Sequence, residues 1–149
     1  MLEGKLDRTK KTFTYNGTEY NLEPFIYTEE VQQLDEIRNL VSLCADRGKI
    51  PILCTSLGRW FGIEDNEKVP LKPGIANDTT LCIVQWTTAI KPRIPDEWGT
   101  WLFWEYKTDG TCWFNGDIND LSAISGYESP DETKSIIMTC PHCGKRIKL

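Results

Sequence analysis

The chain has 149 residues, with 17 Lys and Arg against 22 Asp and Glu and a formal charge of −5. That balance excludes a nucleic-acid-binding surface, which needs clustered cations to neutralise phosphates; only Lys145, Arg146 and Lys148 form a basic group. With 40% hydrophobic and 11% aromatic residues, the composition is that of a globular domain with a real core.

No apolar run approaches the roughly 18 residues of a membrane span, and Met1 to Lys11 has no apolar stretch of the signal-peptide kind. Cytoplasmic synthesis with no membrane partner is the expectation. The six cysteines are then expected as thiols or metal ligands rather than as a disulfide framework.

In chain order, Thr12–Tyr15 and Thr18–Leu22 flank Asn16-Gly17, the dipeptide that suits the two positive φ angles of a type I′ hairpin turn. Pro24 has no N–H and ends the pairing. Thr28 is a candidate helix N-cap, with Glu29 and Glu30 in the first turn. Val31, Leu34, Ile37, Leu40, Val41 and Cys44 then recur at helical spacing, so a helix over Glu29–Arg47 closing at Gly48 is predicted.

Ile50–Thr55 reads as a buried strand and Leu57–Phe61 as a helical turn, followed by a turn-rich stretch from Asp65 to Thr80. Further strands are expected at Leu81–Trp86, Thr100–Tyr106 and Thr111–Phe114. A helix followed by near-continuously apolar strands predicts an α/β fold with both faces of the sheet covered. The predicted organisation is an α/β domain over 1–125, a polar linker over 126–135 and a short tail over 136–149.

The tail carries Cys140-Pro141-His142-Cys143-Gly144. Two thiolates three positions apart on a tight turn suit one Zn²⁺, so a structural zinc on Cys140 and Cys143 is expected. Four ligands are needed, and a second pair would come from a homodimer or a complementary chain. Cys44, Cys54, Cys82 and Cys112 stand singly on predicted helix or strand, as small buried hydrophobes do.

Five of the six tryptophans fall between Trp86 and Trp113. Flat aromatic rings stack on the C–H face of sugars, and they also simply fill cores; composition leaves both open. Alternation puts Leu102, Trp104 and Tyr106 on one strand face and Trp101 with Phe103 on the other.

The order of these segments resembles the family 25 glycoside hydrolases, the Chalaropsis-type lysozymes common as phage endolysins. Gly48–Thr55 is similar to that family's G-K-x-P-I-I-Y-T strand, and Leu81–Trp86 to its L-W-I-A-x-Y strand. Pro95–Tyr106 resembles P-x-x-W-x-x-W-x-F-W-Q-Y, Gly116–Asp120 resembles G-N-V-D-L-N, and Asn21-Leu22-Glu23 resembles D-x-E. The likeness covers about 20–124.

The resemblance implies a (β/α)8-like muramidase that cleaves the β-1,4 bond of peptidoglycan with no catalytic cofactor. A glutamate at a strand's C-terminal end would act as general acid, and aspartates would stabilise the oxocarbenium-like charge. On that basis Glu23 is the general acid, Asn21 and Asn119 hold the two aspartate positions, and Trp86, Trp104, Tyr106 and Asp117 line the sugar cleft. Asparagine carries no charge, so two of the three catalytic positions are chemically altered. A complete barrel of this kind takes roughly 200 residues or more, so the expected architecture is about half a barrel preceded by a β-hairpin. Two functions follow as expectations: peptidoglycan hydrolysis, impaired by those losses, or a non-enzymatic binding module with a tryptophan-rich groove and a zinc-stabilised tail.

Overall fold

A computed structural model describes residues 1–65, 71–124, 137–139 and 146–148. The fold is mixed α/β and centres on one eight-stranded sheet. Its strands are β1 (Leu2–Asp7), β2 (Thr12–Tyr15), β3 (Thr18–Asn21), β4 (Phe25–Tyr27), β5 (Ile52–Thr55), β6 (Thr80–Val84), β7 (Phe103–Glu105) and β8 (Thr111–Phe114). Their spatial order is β3-β2-β1-β8-β7-β6-β5-β4. The neighbours from β4 to β7 are parallel, and every other pairing is antiparallel.

The two edge strands, β3 and β4, are consecutive in sequence and joined by Leu22-Glu23-Pro24, whose Glu23–Pro24 bond is cis. Laid flat, eight strands would hold their edges about 34 Å apart, whereas four residue steps span about 14 Å at most. The sheet therefore curls until its edges approach. Leu22, only 1% exposed, lies in the enclosed interior.

Alternation sorts the side chains onto two faces. Inside the curl lie Phe13, Phe25, Ile52, Phe103 and Phe114, with Leu6, Cys54, Cys82 and Cys112 in the same cluster. Leu121 of α4 (Ile118–Ile124) joins them from the end where β8 finishes. Phe13, Phe103 and Phe114 pack with ring centroids 4.9 to 6.3 Å apart. On the outer face, Ile26, Leu53, Leu81, Ile83 and Trp104 pack under α1 (Leu34–Asp46), α2 (Leu57–Gly62) and α3 (Lys72–Asn77).

The curled sheet is the partial barrel expected, and the N-terminal strands extend it beyond β8. β1 pairs along β8, from Leu2↔Phe114 to Lys5↔Thr111, and β2 and β3 extend the sheet from there. Leu2, Gly4 and Leu6 alternate with Glu3, Lys5 and Asp7, a period-2 pattern diluted by the glycine. The hairpin turn is as predicted, with φ of 51° at Asn16 and 83° at Gly17.

The long helix starts later than Thr28. Thr28 instead directs its hydroxyl to the Cys54 carbonyl and to Thr55 Oγ1, which fastens it to β5 and prevents it from capping. The helix begins after Gln33, with Asp35 and Glu36 in its first turn, and Gly48 has φ of 69° just past its C-cap. α3 arises in the stretch expected to be turns, because Pro73 occupies the first helical turn, where a missing N–H costs nothing. Among the described residues, no helix is long and apolar enough to cross a membrane. β9 (Ile137–Thr139) and β10 (Arg146–Lys148) pair antiparallel on either side of the Cys140-to-Gly144 motif, whose cysteines lie outside the described residues.

Candidate functional site

In a parallel sheet, binding residues gather where the strands end and the loops begin. Here that rim is formed by the C-terminal ends of β4 to β7, the start of β8 and the turn after β1. Four side chains meet there. Glu105, the last residue of β7, is 1% exposed and points into the interior. Its Oε1 lies 3.2 Å from Arg8 Nε, and its Oε2 accepts a 3.0 Å hydrogen bond from Trp86 Nε1. Arg8 Nη1 donates to the Tyr27 hydroxyl at 2.6 Å, and the guanidinium lies 5.3 Å from the centre of that ring.

Burial raises the Glu105 carboxyl above the ordinary glutamate value, while the Trp86 N–H and Arg8 oppose the shift. Burial also raises the Tyr27 phenol, with Arg8 pulling the other way, so Tyr27 stays neutral at physiological pH. Beneath this layer, the Cys54, Cys82 and Cys112 thiols form the next tier of the interior. Burial pushes the Cys82 and Cys112 thiols well up, with the Cys54 contact adding to the shift at Cys82. All four single cysteines are free and buried, as expected of small hydrophobic filler. Among the described residues, no group of three or more His, Cys, Asp or Glu is placed to hold a metal ion.

Trp86 is 54% exposed and forms the wall between two cavities. On one side, a mainly apolar cavity of about 480 Å³ is lined by Trp86, Ile90, Trp104, Tyr106 and Trp113. Tyr106 and Trp113 are stacked at 5.9 Å with an interplanar angle of 16°, and Trp104 sits 5.5 Å from Tyr106. Trp104 is 3% exposed and donates from its ring N–H to the Gln85 carbonyl, while Tyr106 donates its hydroxyl to Glu3. On the other side, a cavity of about 240 Å³ is lined by Arg8, Tyr27, Thr28, Glu29, Ser56 and Trp86, among others. A third and polar cavity of about 470 Å³ continues past Arg8 and Tyr27 toward Lys5, Glu105 and Asp109.

The residues expected from the sequence divide between two places. Trp86, Trp104 and Tyr106 come together at the rim. Asn21 ends β3, and Glu23 precedes β4 at the strand's N-terminal end. Asp117 and the exposed Asn119 lie at the start of α4, beyond the end of β8 that is remote from the rim. There Asp117 and Asp120 exchange backbone-to-carboxylate hydrogen bonds of 3.0 and 2.9 Å, which hold the first turn of the helix. None of Asn21, Glu23, Asp117 and Asn119 lines the three rim cavities.

The glutamate at the C-terminal end of β4 is Glu29, in the run Tyr27-Thr28-Glu29. It lies in the turn that follows β4, at the opposite end of that strand from Glu23, and the neutral Tyr27 stands two positions before it. Arg8 and Glu105 were not legible as site residues, since pairing across the rim depends on β1 joining β8. Glu105 carried one signal: a carboxylate in an otherwise apolar strand.

No protein family and no curated protein matches the sequence. Among solved structures, the chain is similar to a muramidase from Acremonium alcalophilum, at 25% sequence identity and a TM-score of 0.39. The similarity covers 52% of this chain and 37% of that one, so this chain spans well under half of that protein's length.

Proposed function

We propose that this chain binds a β-1,4-linked amino-sugar polymer of the peptidoglycan kind, with Trp86 as the stacking platform. The observation that carries this is the state of Trp86. Its ring is more than half exposed, yet its N–H is anchored on a buried carboxylate, and its neighbours form an aromatic-lined cavity. An indole fixed at its polar edge presents a flat apolar surface without losing rotamer freedom on binding. The order of motifs along the chain supports the choice of polymer.

Binding without cleavage fits the chemistry of the rim. Glycosidic hydrolysis takes two carboxyl groups with separate tasks on either side of the bond. Next to Glu29 stands the neutral Tyr27 phenol, and Glu105 is committed to Arg8 and Trp86. A phenol does not stabilise an oxocarbenium-like charge as a carboxylate does.

The test is co-sedimentation with purified cell-wall sacculi. The wild-type protein pellets with them, and Trp86→Ala stays in the supernatant while still melting cooperatively, at a temperature lowered by the loss of the N–H donor to Glu105. Equal pelleting of both proteins would remove Trp86 from the reading. Hydrolysis is the second reading, favoured by the position of Glu29 in the cavity beside Trp86. Clearing of cell walls by wild type that is lost in Glu29→Gln would establish it.

A further inference from the structure

The two walls of the aromatic cavity are built differently. One is the sheet: Trp104 on β7, Tyr106 just beyond it and Trp113 on β8, packed ring against ring. The other is one continuous run of the connection after β6, from Trp86 to Ile90. The root of that connection is fastened. The Gln85 N–H donates to the Glu105 carbonyl at 3.0 Å, and the Gln85 carbonyl accepts the Trp104 ring N–H. The Gln85 side-chain amide grips both polar groups of the Arg93 backbone, accepting from the N–H at 2.8 Å and donating to the carbonyl at 3.3 Å. Trp86 is anchored on Glu105, and Pro92 is buried. Between these posts the chain is untied. Among the described residues, the hydrogen bond made by residues 87–92 is internal, from the Ala89 N–H to Thr87 Oγ1 at 3.2 Å. Residues 88–91 are all exposed, and Ile90 is 98% exposed although it borders the cavity. A stretch with no hydrogen bond to the body and no buried side chain shifts at little cost in free energy.

We infer that residues 88–91 form a flap that closes on a ligand lying against Trp86, with Ile90 as the residue that covers it. The inference rests on the Trp86 platform. Burial drives the closure: an isoleucine left in water at the mouth of a mainly apolar cavity is covered only when something fills the space between the walls. The grip of Gln85 on Arg93 confines the motion to the tip, so the platform does not move with the flap. A ligand clasped in this way leaves slowly, because the flap opens first.

The experiment is an NMR titration of the full chain, with isotope-labelled isoleucine methyl groups, against soluble glycan strands released from cell-wall sacculi by an amidase. The Trp86 indole N–H reports the platform, and the Ile90 methyl signals, assigned with Ile90→Ser, report the flap. Both are expected to shift with one dissociation constant, and the Ile90 methyls to show NOEs to sugar ring protons. Ile90→Ser is expected to weaken binding about tenfold, through faster dissociation, whereas Ile90→Leu stays within about twofold of wild type. Both variants keep the wild-type melting temperature, because the side chain packs against nothing in the free protein. Ile90 methyls that stay put while Trp86 shifts, or wild-type affinity in Ile90→Ser, would overturn the flap and leave the platform standing. If neither signal moves, the platform reading fails and the flap falls with it.

Discussion

Arg8 and Glu105 meet 3.2 Å apart at the rim, one from the turn after the first strand and the other from the end of the seventh. Glu105 is almost wholly enclosed, and Arg8 is 27% exposed. Removing the cation leaves a buried carboxylate with only the Trp86 N–H. Arg8→Met is therefore expected to lower stability by about 3 kcal/mol, the lower end for breaking a buried pair. Adding Glu105→Gln recovers much of the loss, because the amide oxygen still accepts from Trp86 and no charge is stranded. Urea denaturation of the two single variants and the double variant measures this; strictly additive losses would show that the pair is not coupled.

The pH dependence has two opposed parts. Because burial raises Glu105, the folded state holds its proton more tightly than the unfolded one. Its contribution is full below the unfolded glutamate value and is lost as pH rises through the folded value. Asp109 runs the other way. The Thr111 hydroxyl and N–H, with Lys5, hold it well below the ordinary carboxylate range, so its contribution is full at neutral pH and declines on acidification. Urea midpoints measured from about pH 3 to pH 8 should fall less steeply on the alkaline side in Glu105→Gln, and less steeply on the acid side in Asp109→Asn. Curves parallel to wild type in both variants would contradict the assignment.

Gly4 is required by close approach. A Cβ there would collide with the Thr14 carbonyl of the paired strand and lie 2.7 Å from Phe13 Cζ. A backbone atom and a fully enclosed ring cannot both give way. Gly4→Ala is expected to cost about 3 kcal/mol, at the upper end for overpacking, because β1 must move off β2. A thermal melt within a degree or two of wild type would show that the strands accommodate the methyl group.

The four single cysteines should be inert in the folded protein. In a Cys140→Ser/Cys143→Ser variant, Ellman's reagent is expected to find no fast-reacting thiol until urea unfolds the chain, when four react. Burial shields all four, and the raised pKa values of Cys44, Cys82 and Cys112 withhold their thiolates as well. A thiol that reacts within seconds in native buffer would mean that the interior opens.

Local chemistry was readable from the sequence wherever it acted alone. Asn16-Gly17 dictated a turn, the Leu34-to-Cys44 spacing dictated a helix, and the apolar runs at Ile52, Leu81 and Thr111 dictated strands. Tertiary competition hid the rest. Thr28 has the chemistry of a cap but spends its hydroxyl on β5. β1 is half charged and contains a glycine, so its membership of the sheet depends on β8, whose partner Thr111 lies 106 positions from Lys5. The same long-range pairing conceals the Arg8–Glu105 contact. Motif order singled out Trp86, Trp104 and Tyr106, which the fold gathers around one cavity, whereas Glu23 and Glu29 fall at opposite ends of β4.

The pairing of β1 with β8 also governs when the molecule can form. During synthesis the first three strands leave the ribosome early, yet the sheet neighbour that anchors them is made only after Thr111 to Phe114. Until then the N-terminal meander is a detached two-hairpin ribbon, marginal in water on its own. The parallel strands meanwhile present an apolar inner face that nothing encloses. Closure is a late, nearly all-or-none event of high contact order, and chains stalled before Phe114 are the species on which a holdase chaperone would act.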